Sequence, residues 1–192
     1  MSSSIEVIHD NIHDRQSIGQ LVTPAPNAQQ LELAFQAALA APDHHRLKPT
    51  RFVIVEDEQR TKFGELLSQS MGDFDGIDPV QVERVKNHPF RAPTLVLALT
   101  ELVDHPKVPH YEQILSTGAA VQNFLLSLQA QGFSTIWRTG AVVESSTLKK
   151  ALGLQERDLI SAIIYIGTTD KKIAPRAEID TTLYVSKWNL SE

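Results

Sequence analysis

Apolar residues recur at helical spacing in several stretches of the chain. Isoleucine residues three and four positions apart predict an amphipathic helix over residues 4–14. Asn27 is followed three positions later by a glutamine, the arrangement of a capping box, which predicts the start of a second helix. The apolar positions of that helix are Leu31, Phe35, Ala38 and Leu39. The segment ILSTGAAVQNFLLSLQAQGF predicts a long, buried helix of about residues 111–131.

Four short runs rich in β-branched and other apolar residues predict strands. They are RFVIVED, TLVLALTE, STIWR and LISAIIYIG. The second and fourth runs are apolar at nearly every position, which is typical of strands buried on both faces. Because these strands alternate with helical segments and no linker interrupts them, we expect residues 1–192 to form one α+β domain. Residues 169–192 have no helical stripe, which predicts an extended C-terminal arm that contacts a second subunit.

Composition restricts the classes of function that this chain can have. The formal net charge is −5, which argues against nucleic-acid binding and means that an anionic ligand needs positive charge supplied locally. The absence of cysteine excludes disulfides, thiolate nucleophiles and cysteine-ligated metals. The first residues lack the basic and apolar regions of a signal peptide, and the most apolar segment is too polar for a membrane span. These features predict a cytoplasmic protein.

The sequence offers little for metal or nucleophilic chemistry. His9 and His13 have the spacing of two ligands on one helix face, but no third ligand follows, so we expect no metal site. No nucleophile elbow, dinucleotide fingerprint or Walker motif is present. Arg15 and Arg138 instead lie directly after a predicted helix and a predicted strand. They are either solvated loop residues or, with neighbouring hydroxyls, ligands of a phosphate.

Several motifs resemble those of the nitroreductase family, and in particular its YdjA-like subgroup of small flavoproteins. In chain order they are DRQSIGQLVTPAPNAQQL, AAPDHHRLKPTRFVIVE, NHPFRAPTLVLAL, HPKVPHYEQILSTGAAVQNFLLSLQAQGFSTIWRTGA and IIYIGT. The resemblance runs from about residue 9 to about residue 168. It implies an α+β fold with a central, mostly antiparallel sheet flanked by helices and a long buried helix at a dimer interface. It also implies a homodimer with FMN bound between the subunits.

The resemblance also implies which residues contact the cofactor. An Arg-Arg-Ser element that binds the flavin's ribityl phosphate corresponds to Arg15, Gln16 and Ser17, so one positive charge is lost at Gln16. A Trp-Arg-Ser stretch near the phosphate corresponds to Trp137, Arg138 and Thr139, where threonine keeps the hydroxyl. His44 is expected to reach the flavin of the partner subunit, and Lys48 is a candidate donor near the pyrimidine end of the flavin.

Two positions depart from the pattern of the family. Ala40 stands where relatives often carry an arginine, which predicts fewer positive charges around the phosphate unless Arg46 or Lys48 compensates. Thr50 stands where a tryptophan is common, which predicts a different substrate preference.

The resemblance implies an FMN-dependent oxidoreductase that uses NAD(P)H to reduce nitroaromatic or quinone-like small molecules. Hydride would pass from NAD(P)H to the flavin and then to the acceptor in a ping-pong scheme. The protein would position the cofactor and tune it, and we expect no catalytic side chain. Two alternatives stay open: a flavin-binding carrier or sensor without turnover, and an interaction module without enzymatic activity.

Overall fold

The computed structural model describes residues 3–188. The helices are α1 (Ser4–Asp14), α2 (Ala28–Leu39), α3 (Gln59–Ser70), α4 (Pro79–Lys86), α5 (His110–Ala130) and α6 (Ser146–Ala151). The strands are β1 (Thr50–Glu56), β2 (Thr94–Thr100), β3 (Ser134–Arg138) and β4 (Leu159–Gly167). The four predicted strands are all present, and the capping box at Asn27 forms as predicted at the start of α2.

The strands form one sheet in the order β1-β2-β4-β3. Each neighbouring pair is antiparallel, so the α+β class and the mostly antiparallel sheet are confirmed. The two central strands are β2 and β4, the runs whose continuous apolar character predicts burial on both faces. Strand β3 lies at one edge of the sheet, which leaves one of its sides available for pairing with another segment.

Helices cover both faces of the sheet. On one face α5 and α2 pack together, and the rings of Phe35, Phe52 and Phe124 contact one another with centroids 5.1–5.6 Å apart. On the other face α3 and α6 cover a cluster that includes Leu95, Leu97 and Tyr165. Alternate residues of β2 therefore belong to different clusters, as the period of two in a strand requires.

The apolar faces of α1 and α2 are only partly covered. Leu39 was expected on the inner face of α2, but its exposed fraction is 64%. The residues that α2 buries are Leu31, Ala34 and Ala38. Leu39 follows Ala38 directly, and a step of one residue rotates a side chain by about 100° away from that face. Helix α1 buries none of its residues.

The last part of the described chain runs along the surface. Residues 169–188 contain one 3₁₀ turn, at Thr181–Leu183. Residue 169 is partly buried, and residues 170–188 are all exposed. Among residues 3–188, no helix combines the length and the apolar character needed to cross a membrane.

Candidate cofactor-binding site

The segment after α1 lies against the edge strand β3. Ser17 forms an isolated parallel bridge with Thr135, and the backbone N–H of Ile18 donates to the carbonyl oxygen of Thr135 at 3.0 Å. A Cβ atom added to Gly19 would lie 3.3 Å from Nη2 of Arg138. The sequence elements around Ser17 and Arg138, which are far apart in the chain, are therefore neighbours in the structure.

Arg15 lies beside a second arginine that sequence reasoning missed. Arg176 donates from Nη2 to the carbonyl oxygen of Arg15 at 2.5 Å and from Nε to the carbonyl oxygen of His13 at 3.1 Å. Burial and the like charge of Arg176 lower the pKa of Arg15. Neither arginine belongs to an ion pair within residues 3–188. Because the charges of Arg15 and Arg176 interact and neither is neutralised by a carboxylate of the described chain, the two side chains are candidate ligands of a phosphate.

Two further contacts fix the C-terminal segment beside this arginine pair. Gln16 donates from Nε2 to the carbonyl oxygen of Ala174 at 2.7 Å. Lys171 donates from Nζ to Oε1 of Gln20 at 2.8 Å. Gln16 thus contacts the C-terminal segment, and Arg176 brings a positive charge to the Arg15 side of the site.

Arg138 and Thr139 open onto a cleft of about 510 Å³, which we call the arginine cleft. Its polar residues are Gln81, Arg84, His88, Arg91, Arg138, Thr139 and Tyr165. The remaining wall is largely apolar, with Leu67 of α3, Met71 and Ile77 between α3 and α4, Val85 of α4, Gly140–Val142 after β3, and Ile163 of β4. The lining contains no aspartate or glutamate, so the positive charge is not neutralised within the cleft.

Electrostatics distinguish the arginine cleft from an ordinary polar surface. Burial, followed by the charges of Arg91, Arg84 and Arg138, lowers the pKa of His88 to about 4. Burial is also the largest cause of the lowered pKa of Arg91, to which Arg138 and Arg84 add. Burial raises the pKa of Tyr165, so this residue stays a neutral phenol. The cleft therefore attracts anions although the whole chain is acidic.

Sequence reasoning missed Arg84, His88 and Arg91. They come from the end of α4 and the 3₁₀ turn at His88–Arg91. The composition of this segment is mixed, so its sequence does not predict which side chains converge. Their helical spacing in the sequence does not explain how they converge, because α4 ends at Lys86 and His88–Arg91 form a separate turn.

Trp137 has a structural role within the described chain. Its Nε1 donates to the carbonyl oxygen of Ser161 at 3.0 Å, which fixes the indole on the neighbouring strand β4. Successive strand residues point to opposite faces of a sheet. Trp137 consequently projects away from the side on which Arg138 lines the cleft, and it is absent from the cleft lining.

His44 and Lys48 lie in a different region, in the loop between α2 and β1. His44 Nδ1 is 2.6 Å from Oε2 of Glu112 on α5. The carboxylate of Asp43 accepts hydrogen bonds from the backbone N–H groups of Leu47 and Lys48 at 3.1 and 2.7 Å. Lys48 borders one small pocket beside α5, and His44 borders another. Neither pocket shares a residue with the arginine cleft. Within one chain, the predicted site residues therefore form two separate groups.

The loop that carries His44 and Lys48 has an unusual backbone. His45, Arg46 and Lys48 have φ angles of 60°, 56° and 54°. Non-glycine residues in this left-handed region each cost roughly 1 kcal/mol or more, and they cluster at functional sites.

The hydroxyl of Thr50, one of the two departures from the family pattern, is 2.9 Å from the hydroxyl of Thr117.

The fold and this site define an α+β protein that can bind an anionic cofactor beside the edge of an antiparallel sheet. No cluster of metal-binding side chains occurs in the part of the chain that the structure describes. The chain belongs to the nitroreductase family, whose sequence profile matches residues 12–168.

Two curated relatives match most of this chain. The "Putative NAD(P)H nitroreductase YdjA" of Escherichia coli (strain K12) is 35% identical over 174 residues, which cover 90% of this chain and 94% of the relative. The "Putative NAD(P)H nitroreductase" of Haemophilus influenzae is 38% identical over 175 residues, with the same coverage of 90% and 94%. The resemblance to the nitroreductase family and its YdjA-like members is thus confirmed.

Solved structures of this family have the same fold. A nitroreductase-like family protein from Bacillus cereus matches with a TM-score of 0.83 at 21% identity, covering 98% of this chain and 97% of its own. A nitroreductase from Desulfovibrio desulfuricans, solved in complex with FMN, matches with a TM-score of 0.69 at 20% identity, covering 97% and 98%. At these identities the likeness bears on the fold alone.

Proposed function

We propose that this protein is an FMN-dependent oxidoreductase that uses NAD(P)H to reduce nitroaromatic or quinone-like acceptors. The relatives at 35–38% identity carry the name NAD(P)H nitroreductase, and one of the structural neighbours was solved with FMN. The observation that carries the proposal is the contact of residues 17–19, which directly follow Arg15, with β3 and Arg138: Ser17 is bridged to Thr135, and a Cβ added to Gly19 would lie 3.3 Å from Nη2 of Arg138, which lines the arginine cleft. FMN consists of a phosphate joined by a short chain to a planar ring. In our proposal its phosphate binds at Arg15, and its ring binds beside Arg138.

The phosphate end of FMN matches the arginine pair. Arg15 and Arg176 supply two guanidinium groups, and Ser17 supplies an exposed hydroxyl. Each hydrogen bond between a charged donor and a phosphate contributes about 1.5–3 kcal/mol. Since the phosphate carries close to two negative charges, it also removes the repulsion that the two arginines exert on each other.

The ring end of FMN matches the mouth of the arginine cleft. The resemblance implied that Arg138 and Thr139 lie near the phosphate, but because they line this cleft together with apolar side chains, we assign them to the ring side of the cofactor. Gly140 has a φ angle of 91°, which other residues rarely adopt, and no atom lies within 4 Å of its would-be Cβ. Bound flavin would supply the hydride chemistry, and the chain's own residues would orient the ring and exclude water from one side of it.

We also propose that the working unit is a homodimer with the cofactor between its subunits. Several apolar side chains of α1 and α5 are exposed in the single chain, and they require a covering surface. They include Ile5, Ile8, Ile12, Tyr111, Ile114 and Leu115. His44 lies on the same side through its contact with Glu112 of α5. A second copy packed on this surface would bring its His44 and Lys48 toward the cofactor, although neither borders the cleft of its own chain.

The distal part of the C-terminal segment supports the same proposal. Leu183, Tyr184, Val185 and Trp188 are all largely exposed. Apolar side chains grouped in this way in an extended segment favour contact with another surface. We propose that this arm embraces the partner subunit, while the proximal part around Arg176 stays beside Arg15 of its own chain.

An open cleft without a catalytic triad favours a ping-pong reaction. NAD(P)H and the acceptor would bind in turn at the same face of the flavin. One flat binding site beside the apolar side chains of the cleft would therefore accept both. Electron transfer through the cofactor needs only binding and orientation by the protein.

Reconstitution tests this proposal. The protein is mixed with FMN, passed over a desalting column and examined by absorption spectroscopy and by light scattering. We expect flavin bands at one FMN per chain and the mass of a dimer. A colourless protein that does not take up added FMN would contradict the proposal, and flavin bands without oxidation of NADH or NADPH would favour the carrier or sensor alternative.

A further inference from the structure

His88 is the one side chain in the lining of the arginine cleft whose ordinary pKa lies near neutral pH. The charged or titratable groups around it come from four of the elements that border the cleft, and the other elements contribute only apolar residues there. Arg84 belongs to α4, Arg91 to the same turn as His88, Arg138 to the end of β3, and Tyr165 to β4. The lining has no carboxylate that could stabilise a protonated imidazole.

These surroundings keep the imidazole neutral. The pKa of His88 falls to about 4 because the ring is half-buried and because three arginines repel its protonated form. The same reasoning predicts the response to a negative charge in the cleft. An anion there offsets the repulsion by the arginines and brings the pKa back toward its ordinary value of about 6.5. His88 is therefore suited to take up a proton when negative charge arrives and to release it when that charge leaves.

We propose that His88 takes up a proton when the bound flavin is reduced and donates it to the electron acceptor. This inference rests on the proposed function, because the flavin provides the negative charge. It adds a proton-donating side chain to a reaction for which the sequence offers none. Its location is suitable, since His88 lines the same cleft as Arg138, Thr139 and Gly140, beside which we place the flavin ring.

Hydrogen and charge balance in the two half-reactions. In the first, a C–H bond of the nicotinamide would break, its hydride would add one negative charge to the bound flavin, NAD(P)⁺ would leave, and His88 would take up one proton from the solvent. In the second, the hydride passes to the acceptor, and His88 gives its proton to the acceptor oxygen that becomes negative. A quinone becomes a hydroquinone, and a nitro group becomes a nitroso group and water. The sum consumes one NAD(P)H and one proton for each acceptor reduced by two electrons.

The dependence of the flavin's midpoint potential on pH tests the proposal without measuring turnover. For a two-electron couple, a tenfold change in an equilibrium constant corresponds to 29.6 mV, so each proton taken up contributes about 30 mV per pH unit. At about pH 5 to 5.5, between the two pKa values of His88, we expect a slope approaching 59 mV per pH unit in the wild type. We expect about 30 mV in His88→Asn. The control His9→Asn, which changes a histidine on the exposed surface of α1, should keep the wild-type slope.

Equal slopes in the wild type and His88→Asn would overturn the proposal, whether both are 30 or both are 59 mV per pH unit. A direct titration gives a second test that needs no variant to bind flavin. The imidazole of His88, followed by NMR in protein labelled with ¹³C-histidine, should have a higher pKa in the reduced holoprotein than in the oxidised one. An unchanged pKa would also overturn the proposal. Failure of the wild type to bind FMN, by contrast, would contradict the proposed function itself.

Discussion

At the scale of single residues, the candidate site depends on arginines that differ in their surroundings. Arg15 has Arg176 beside it, whereas Arg138 belongs with Arg84, Arg91 and His88. The sequence singles out Arg15 and Arg138 as candidates through the family motifs that contain them. It does not single out Arg176, since 161 positions separate it from Arg15 and only the folded chain brings the two together.

Loss of the guanidinium of Arg15 should weaken FMN binding. We expect Arg15→Gln to raise the Kd for FMN by about 10- to 100-fold, because a charge-assisted contact contributes about 1.5–3 kcal/mol. Fluorescence quenching of FMN on titration with apoprotein measures the Kd. Arg157→Gln, which removes an arginine paired with Asp104 on the surface, is the matched control. The same Kd in Arg15→Gln and in the control would contradict the assignment of the phosphate to Arg15.

His88 should make the stability of the apoprotein depend on pH. Its pKa is about 4 in the folded chain and near 6.5 in the unfolded chain, so the unfolded chain binds the proton first as the pH falls. The free energy of unfolding should therefore decline between about pH 6.5 and 4, and His88→Asn should flatten this decline. Urea unfolding at several pH values measures it. A decline of the same steepness in both proteins would show that His88 titrates normally in the folded chain.

At the scale of elements, the arginine cleft depends on how α3 and α4 pack. Gly64 of α3 lies so close to α4 that an added Cβ would be 2.3 Å from the carbonyl oxygen of Lys86. The hydrophobic pattern predicts the four strands and the long helix α5, because their buried positions repeat regularly. It does not predict this contact, which depends on the angle between two helices and on the absence of one side chain.

Gly64→Ala should therefore disturb the arginine cleft from a distance. We expect a loss of about 1–3 kcal/mol in the free energy of unfolding, the usual effect of overpacking. Because α4 carries Arg84, we also expect weaker FMN binding. Urea unfolding and an FMN titration measure the two effects. Gly72→Ala, where no atom lies within 4 Å of the would-be Cβ, is the control. Wild-type stability in Gly64→Ala would mean that α3 and α4 separate easily.

At the scale of the whole molecule, the predicted site residues of one chain lie in two groups that do not meet. Residues 15–17 and 138–140 lie on one side of β3, whereas His44 and Lys48 lie beside α5. The resemblance to the nitroreductase family predicted this division, because it assigned His44 to the partner's cofactor. Neither hydrophobic periodicity nor motif spacing could have predicted it, since both describe a chain in isolation.

A charge on the exposed surface of α5 should separate the subunits. The exposed fraction of Leu115 is 66% in the single chain, and we propose that the partner subunit covers it. We expect Leu115→Glu to give a monomer that binds FMN at least tenfold more weakly, because half of the site is lost. Sedimentation velocity and an FMN titration measure both quantities. The control is Val80→Glu, which introduces the same charge on the exposed surface of α4. A Leu115→Glu dimer with normal FMN affinity would contradict the proposed interface.

The most direct test of the account is a pair of anaerobic half-reactions followed in a stopped-flow spectrometer. The FMN-loaded protein is first mixed with NADH or NADPH, and the reduced protein is then mixed with a quinone or a nitroaromatic compound. We expect the flavin absorbance to bleach in the first reaction and to return in the second, with no ternary complex required. Flavin that stays oxidised in excess NADH and in excess NADPH would contradict the proposed oxidoreductase.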